Sequence, residues 1–266
     1  METILNRRSI LNFKEDDVPD DVLEQVLQAA LRAPSPGGSL STGYRGMQAF
    51  SIIVVRDRER RAELNGLLCD GKKQCIEQAP VSLVFCVDMH RLNRWAELRG
   101  GVPHFKGIGV LWVAMRGTYA AAQNSVIAAY SLGLGAQYIQ EIVWQPYETF
   151  QFFKLPKRVL PVAMLLIGYP AELPSLAPAL PLESVVHEET YRNPSDKELL
   201  ESFSAKEEYF QKWMESLPQD SRHSQAMEAK GVTNLAQFVS LMTYTESFYR
   251  WRDDVVRSNL AMSDLE

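Results

Sequence analysis

The sequence predicts one domain that mixes helices with strands, and three observations lead to this expectation. The chain has 266 residues, 46% of them hydrophobic and 23% charged, which is enough for one large core. Three short apolar runs have the pattern of buried strands, at 50–55, 81–88 and 160–168. Segments with helical periodicity lie between them, and few hairpin signals accompany them, which favours a mixed architecture.

The first predicted helix has a clear start and a clear end. Asp21 and Glu24 have the spacing of a capping box, and Pro34 stops the helix. One apolar face runs along it, formed by Val22, Leu23, Val26, Leu27, Ala30 and Leu31. Turn-forming residues fill 34–47, and a charged surface helix is predicted at 56–68, between the first two strands.

Residues 120–140 form the most informative stretch. They predict an almost wholly apolar helix rich in alanine, which a break at Gly133 and Gly135 ends, and then a short β-prone run. After the glycines, Tyr138, Ile139 and Gln140 can present main-chain N–H groups along a flat surface. A planar ligand fits such a surface.

The last third of the chain is different in character. Prolines punctuate an extended connection at 169–194, and from Ser195 onward the sequence turns helical and polar. Apolar residues recur near helical spacing at Leu235, Phe238, Met242, Phe248 and Trp251. This pattern predicts a helical arm that packs over something else.

Composition excludes several classes of protein. The formal net charge is −5 without a basic stripe, which argues against a nucleic-acid partner. No run of eighteen apolar residues and no signal-peptide pattern occur, so we expect a soluble, cytoplasmic protein without a membrane partner. Cys69, Cys75 and Cys86 are odd in number and match no zinc spacing, which predicts reduced thiols and no metal.

The motifs of hydrolysis and phosphoryl transfer are missing. The four histidines lack metal-helix spacing, and neither a Gly-x-Ser-x-Gly elbow nor a phosphate-binding loop occurs. Gly133 and Gly135 follow a helix, whereas a dinucleotide fingerprint follows a strand. Neighbouring carboxylates such as Asp253 and Asp254 are more simply explained as a solvated face. We therefore assign no catalytic side chain.

Seven short motifs occur in the order and spacing of one family. They are RRSILNF at 7–13, AP at 33–34, Gln48 before FSIIVV, FCVD at 85–88, AAAQNSVIAAYSLGLGAQYI at 120–139, LPKRVLPVAMLLIGYPAE at 155–172 and HEETY at 187–191. The chain resembles the nitroreductase family, in particular its larger flavin reductase and oxygen-insensitive nitroreductase branch. The resemblance covers most of 3–193 and is most specific over 120–191.

The resemblance implies an α+β fold, with a central, mostly antiparallel sheet flanked by helices. It implies an intertwined homodimer whose central helix is 118–132 and whose two FMN molecules lie at the interface. Residues 1–194 would form the flavin-binding domain, and 195–266 a C-terminal helical arm of the same domain that packs on the partner. By the same resemblance, NAD(P)H reduces FMN and leaves, and a nitroaromatic, quinone or flavin acceptor takes its place in a ping-pong mechanism.

The resemblance implies nine cofactor-binding residues, namely Arg7, Arg8, Ser9, Gln48, Lys73, Tyr138, Ile139, Gln140 and Glu141. The first three match a motif that reaches the phosphate and the ring edge, where arginine forks and hydroxyl donors suit a dianion. Lys73 falls near the pyrimidine ring, where the branch usually has glutamine and where a lysine stabilises negative charge on reduced flavin. Residues 138–141 run beside the ring and act mostly through their backbone.

The chain departs from the family pattern at the phosphate and at the ring. Leu11 replaces an arginine, 177–181 lacks two further cations, Gln140 and Glu141 replace two glycines, and Phe248 stands where the branch often has a substrate-binding arginine. Arg45 and Arg158 are candidate substitutes, and Arg222 a candidate NADPH ligand. Two alternatives therefore stay open, a protein that binds flavin loosely as a substrate or holds another planar ligand, and a dimeric scaffold without redox activity.

Overall fold

The computed structural model describes residues 1–35 and 46–265. Its helices are α1 (Glu2–Leu5), α2 (Asp20–Leu31), α3 (Arg58–Cys69), α4 (Gln74–Gln78), α5 (Met89–Leu98), α6 (Ile108–Ser131), α7 (Pro146–Phe153), α8 (Asp196–Ser216), α9 (Arg222–Ala229), α10 (Leu235–Phe238) and α11 (Glu246–Ser263). Its strands are β1 (Phe50–Val55), β2 (Val81–Asp88), β3 (Gly135–Ile139) and β4 (Val159–Gly168).

The four strands form one sheet in the order β1-β2-β4-β3, and every pair of neighbours is antiparallel. Helices α3 and α4 connect β1 to β2, and α7 lies between β3 and β4 in the chain, so helical segments replace tight hairpin turns. This arrangement confirms the predicted α+β class with an antiparallel sheet flanked by helices.

Both central strands, β2 and β4, are buried along their whole length because helices cover the two faces of the sheet. Helices α2 and α6 pack on the face that carries Leu83, Leu165 and Ile167. Helices α3 and α4 pack on the opposite face, which carries Val84 and Met164. The edge strands β1 and β3 are therefore the sides of the sheet at which a ligand can approach.

The sequence predicted β1 and β2 with the observed bounds, and β4 begins one residue earlier than expected, at Val159. The predicted capping box was wrong. Helix α2 starts at Asp20 after Pro19 and has no side-chain cap, so Asp21 lies in the first turn, where its charge complements the helix dipole. Of the turn-rich stretch, residues 36–45 lie outside the described residues.

Helix α6 is the long central helix of the structure. It begins at Ile108, well before the predicted apolar segment, and its 24 residues include the fully buried Ala121 and Ala122. Gly133 follows with a φ of 79°, a left-handed conformation that suits glycine, and β3 starts at Gly135. The predicted succession of helix, glycine break and strand is confirmed.

The chain divides into two compact units, Met1–Pro174 with Asp253–Glu266, and Ser175–Arg252. The second unit is helical and has its own small core of Phe210, Met227 and Val232. Its helix α8 starts with a capping box of Ser195 and Glu198. The predicted division into a domain of 1–194 and an arm of 195–266 stays a prediction. Among the described residues, no helix is long and apolar enough to cross a membrane.

Candidate cofactor site

The N-terminal segment lies against the edge strand β3. The backbone N–H of Ile10 donates to the carbonyl of Ala136 over 3.1 Å, and Ser9 forms a parallel bridge with Ala136. Gly135 is required for this contact because a Cβ there would lie 2.4 Å from Cγ1 of the fully buried Ile10. The motif Arg7-Arg8-Ser9 is thereby held beside β3.

The two arginines of this motif differ in what they contact. The guanidinium of Arg8 donates to two main-chain carbonyls, that of Asn6 over 3.2 Å and that of Pro174 over 2.9 Å. The hydroxyl of Tyr130 in α6 accepts from the Arg8 N–H over 3.3 Å and donates to the Arg8 carbonyl. Arg7 is exposed, and within the described residues its side chain has no hydrogen bond or ion pair. Arg7 is thus the arginine of the pair that is free to bind an anion.

The side chain of Tyr138 in β3 is affected both by burial and by the charge of Arg7. Burial, with a smaller contribution from Tyr119, raises its pKa to about 12, and the positive charge of Arg7 opposes that shift. Its hydroxyl donates to Oε1 of Gln123 over 3.4 Å. The positive charge of Arg7 therefore acts on Tyr138, whereas the backbone of Ser9 pairs with Ala136 near the start of β3.

The other end of β3 carries an ion pair. Ile139 is buried, Gln140 is exposed, and Nζ of Lys73 donates to Oε1 of Glu141 over 2.5 Å. The two side chains retain 40% and 31% exposure, so the pair lies at the surface of the site rather than in the core. Oε2 of Glu141 is buried and has no hydrogen-bond partner among the described residues. A ligand with an N–H group would satisfy it.

A buried amide positions Lys73. Oδ1 of Asn65 accepts from the Lys73 N–H over 3.1 Å, and Nδ2 of Asn65 donates to Oε1 of Glu77 over 2.6 Å. The Asn65 carbonyl also accepts from the N–H of Gly71. Asn65 is completely buried, so the connection from α3 to α4 has a defined path. No local sequence pattern marks Asn65, because its role depends on the path of this connection.

The two cysteines near the ion pair do not provide nucleophiles. Burial, reinforced by the charge of Glu141, raises the pKa of Cys69 to about 11, although Lys73 opposes the shift. Burial also raises the pKa of Cys75. At neutral pH both thiols stay protonated, which is the unreactive form.

Gln48 does not join the other predicted residues within one chain. It precedes β1, whereas the others surround β3, and β2 and β4 separate these edge strands, a width of roughly 14 Å at normal strand spacing. Its backbone has a φ of 46°, and its side-chain amide donates to the carbonyl of Leu31 over 3.0 Å. The side chain of Gln48 is therefore held in place by Leu31, but it lies at the edge of the sheet opposite to β3.

The structure also places the candidate substitute cations. Nε of Arg158 pairs with Oδ2 of Asp264 over 3.2 Å, just before β4 begins. Ala136, beside Ser9, pairs with Ile167 at the other end of β4, roughly 30 Å away at 3.3 Å per residue. Arg158 thus cannot replace a phosphate cation near Ser9 of its own chain. Arg45 lies outside the described residues, and Arg222 is an exposed residue of α9.

The residues along β3 fit FMN. Arg7 is a free cation, and the exposed Ser9 adds a hydroxyl donor that is unengaged within the described ranges, as a dianionic phosphate requires. Lys73 and the unpartnered oxygen of Glu141 offer a donor and an acceptor to a ring that has both carbonyl and N–H groups. Leu11, which is 56% exposed, stands where the family pattern has an arginine. The phosphate end therefore has one cation fewer.

Comparison with known proteins decides the family. A sequence model described as the Nitroreductase family matches residues 4–169. This chain is a member of the nitroreductase family. The chain is 32% identical to an FMN reductase [NAD(P)H] of Bacillus subtilis over 219 residues, which cover 80% of this chain and 82% of the relative. It is 37% identical to an oxygen-insensitive NADPH nitroreductase of Salmonella typhimurium over 201 residues, 75% of this chain and 77% of the relative.

Solved structures agree with this assignment. The structure of a nitroreductase from Bacillus subtilis superposes with a TM-score of 0.77 and 26% sequence identity. The match covers 97% of this chain and 97% of the Bacillus protein. The predicted nitroreductase-like fold is thus confirmed for nearly the whole chain, including the part after residue 195.

Proposed function

We propose that this nitroreductase-family protein is an FMN-dependent oxidoreductase that transfers hydride from NAD(P)H to nitroaromatic, quinone or flavin acceptors by a ping-pong mechanism. Its similarity to proteins named as FMN reductases and NADPH nitroreductases supports this activity. The structural observation that carries it is the placement of polar groups along β3, with Arg7 and Ser9 near one end and the Lys73–Glu141 ion pair at the other.

In this proposal the protein binds and orients FMN, and FMN supplies the hydride chemistry when it is bound. Arg7 and Ser9 hold the phosphate. The backbone that leaves β3 at 139–141 offers N–H groups beside the ring, and Lys73 holds a positive charge there. Because no side chain needs to exchange a proton with the acceptor, the absence of a catalytic motif in the sequence is consistent with this activity.

We further propose that the protein is a homodimer and that Gln48 reaches the flavin of the partner subunit. Two facts support the dimer. Gln48 lies at the edge of the sheet opposite to the β3 residues. Large apolar side chains are exposed in both compact units, including Trp112 at 69% and Leu200 at 75%. Such exposure is typical of a protein interface.

The first experiment tests flavin binding and activity together. We expect the purified protein to bind FMN with quenching of flavin fluorescence, and to oxidise NAD(P)H when a quinone is added. Arg7→Gln should weaken FMN binding about tenfold, because it removes a charge-assisted bond to phosphate. Arg94→Gln is the matched control, since Arg94 is an exposed arginine paired with Glu97. Absence of both quenching and NAD(P)H oxidation would overturn the proposal.

One observation favours a second candidate, in which flavin binds loosely as a substrate. Arg8 already satisfies two backbone carbonyls, and Leu11 stands in place of an arginine, so the phosphate has fewer partners. Dialysis separates the two candidates. Flavin absorbance that stays with the protein supports a resident cofactor, whereas colour that is lost and then restored by added FMN supports the loose form. The cytoplasmic location stays a prediction, which cell fractionation tests.

A further inference from the structure

The Lys73–Glu141 ion pair is the least expected feature of the candidate site. The two residues lie 68 positions apart in sequence and meet at the end of β3, with Nζ and Oε1 separated by 2.5 Å. Both stand at positions where the resemblance implies contact with the flavin ring, and neither is the residue that the branch usually has there. A charged pair has therefore taken the place of neutral groups.

Glu141 has one carboxylate oxygen, Oε2, that accepts no hydrogen bond among the described residues. An ionised carboxylate accepts several hydrogen bonds, and Oε2 of Glu141 has none among the described residues although it is buried. A buried acceptor without a donor is rare in folded proteins and calls for an explanation. Flavin carries an N–H group on its ring, which is the kind of donor that this oxygen lacks.

Lys73 has donors to spare, and its backbone is fixed. One of its three N–H donors goes to Glu141, and its main-chain N–H is held by the buried Asn65. The side chain can therefore shift between Glu141 and a ring carbonyl while the backbone stays in place. Its positive charge is partly neutralised as long as Glu141 keeps it.

We propose that this ion pair sets the redox potential of the bound flavin, with Lys73 and Glu141 acting in opposite directions. NAD(P)H gives up a hydride, which is one proton and two electrons, and leaves as NAD(P)⁺, so the site gains one negative charge until a proton from solvent neutralises it. Lys73 stabilises that charge. Glu141 opposes it, both directly and by holding Lys73. This inference rests on the proposed function.

The experiment compares flavin affinity in two redox states. The dissociation constant of FMN is measured for the oxidised form by fluorescence and for the reduced form under anaerobic conditions. In Lys73→Gln the ratio of reduced to oxidised dissociation constants should rise about tenfold, and in Glu141→Gln it should fall by a similar factor. For a two-electron couple, each tenfold change corresponds to about 30 mV in the midpoint potential, measured independently against a reference dye.

Three further variants test the position and the sign of the charge. Lys72→Gln removes the same charge one residue away, where Lys72 pairs with Asp70 over 2.8 Å and both side chains are largely exposed. Its ratio should equal that of the unchanged protein. Lys73→Arg keeps the charge and should restore the ratio that Lys73→Gln disturbs. The double variant of Lys73→Gln with Glu141→Gln should return close to the starting ratio.

The outcomes separate this inference from the proposed function. If FMN binds and the two single variants shift the ratio in opposite directions, the inference is supported. If FMN binds and the ratio stays constant, or moves in the same direction in both variants, the inference is overturned while the proposed function stands. If FMN does not bind the unchanged protein in either redox state, the proposed function fails, and this inference fails with it.

Discussion

The two ends of β3, which we call its flanks, are built on different principles. On one flank, the N-terminal segment is fixed by shape, because Ile10 fills the space that Gly135 leaves and is fully buried. On the other flank, Lys73 reaches Glu141 through a single, partly exposed ion pair. Burial of an isoleucine is worth about 1.5–3 kcal/mol, whereas a pair with this exposure is worth about 0–1 kcal/mol. The first flank therefore contributes to stability, and the second contributes charge.

Gly135→Ala should produce the largest change, because it attacks the flank that depends on shape. The added Cβ overlaps Ile10, and we expect the free energy of unfolding to fall by about 3 kcal/mol in urea denaturation. Gly66→Ala is the matched control. Its Cβ meets nothing within 4 Å in helix α3, so the same change there should stabilise the protein by up to about 1 kcal/mol. Equal effects of the two variants would contradict the packing argument.

Tyr130→Phe tests the same flank by removing a polar contact. The hydroxyl bonds both the N–H and the carbonyl of Arg8, and we expect a loss of about 1 kcal/mol by thermal or urea unfolding. Tyr147→Phe removes the hydroxyl of a residue that is 63% exposed, and this hydroxyl has no hydrogen bond among the described residues. That control should leave stability unchanged. A loss as large as that of Tyr130→Phe would contradict the stabilising role of the hydrogen bonds between Tyr130 and Arg8.

Glu141→Gln tests the flank that depends on charge. We expect the free energy of unfolding to change by less than about 1 kcal/mol, because the ion pair is partly solvated, and the difference from the unchanged protein should shrink as salt is added. A loss comparable to that of Gly135→Ala would show that the pair is structural, and it would remove the contrast between the two flanks.

Tyr138→Phe should have the smallest effect, confined to alkaline pH. Because the pKa of Tyr138 is raised to about 12 in the folded state, the folded protein keeps a proton that the unfolded chain releases near pH 10. The stability from this group is complete below about pH 10 and is lost as the pH rises toward about 12. Unfolding measured across this range should have a shallower pH dependence in the variant. An unchanged slope would contradict the buried environment of Tyr138.

The sequence predicted the buried strands well and the helix boundaries less well. The apolar runs of β2 and β4 are unambiguous because both faces of these strands are covered. Helix α6 was predicted too short, since Gly109, Arg116 and Gly117 interrupt the apolar pattern of its first half. Packing against the sheet, which no local pattern records, holds that half in helical form.

The site was only partly predictable for a related reason. Motif similarity indicated Arg7, Lys73 and Glu141 one by one, but nothing local relates residues 73 and 141 as an ion pair. The same limit applies to Arg8, whose guanidinium donates to the carbonyl of Pro174, 166 positions away in sequence. Spacing along the chain reports which residues lie on one element, and only the folded sheet reports which elements meet.

The protonated cysteines have a practical consequence for chemical labelling. With a pKa of about 11, only about one in a thousand Cys69 thiols is ionised at pH 8, and burial also raises the pKa values of Cys75 and Cys86. Maleimide reagents will therefore modify these residues slowly. A cysteine introduced at the exposed position of Lys72 would react first, which would place a fluorophore beside the candidate site without removal of a native thiol.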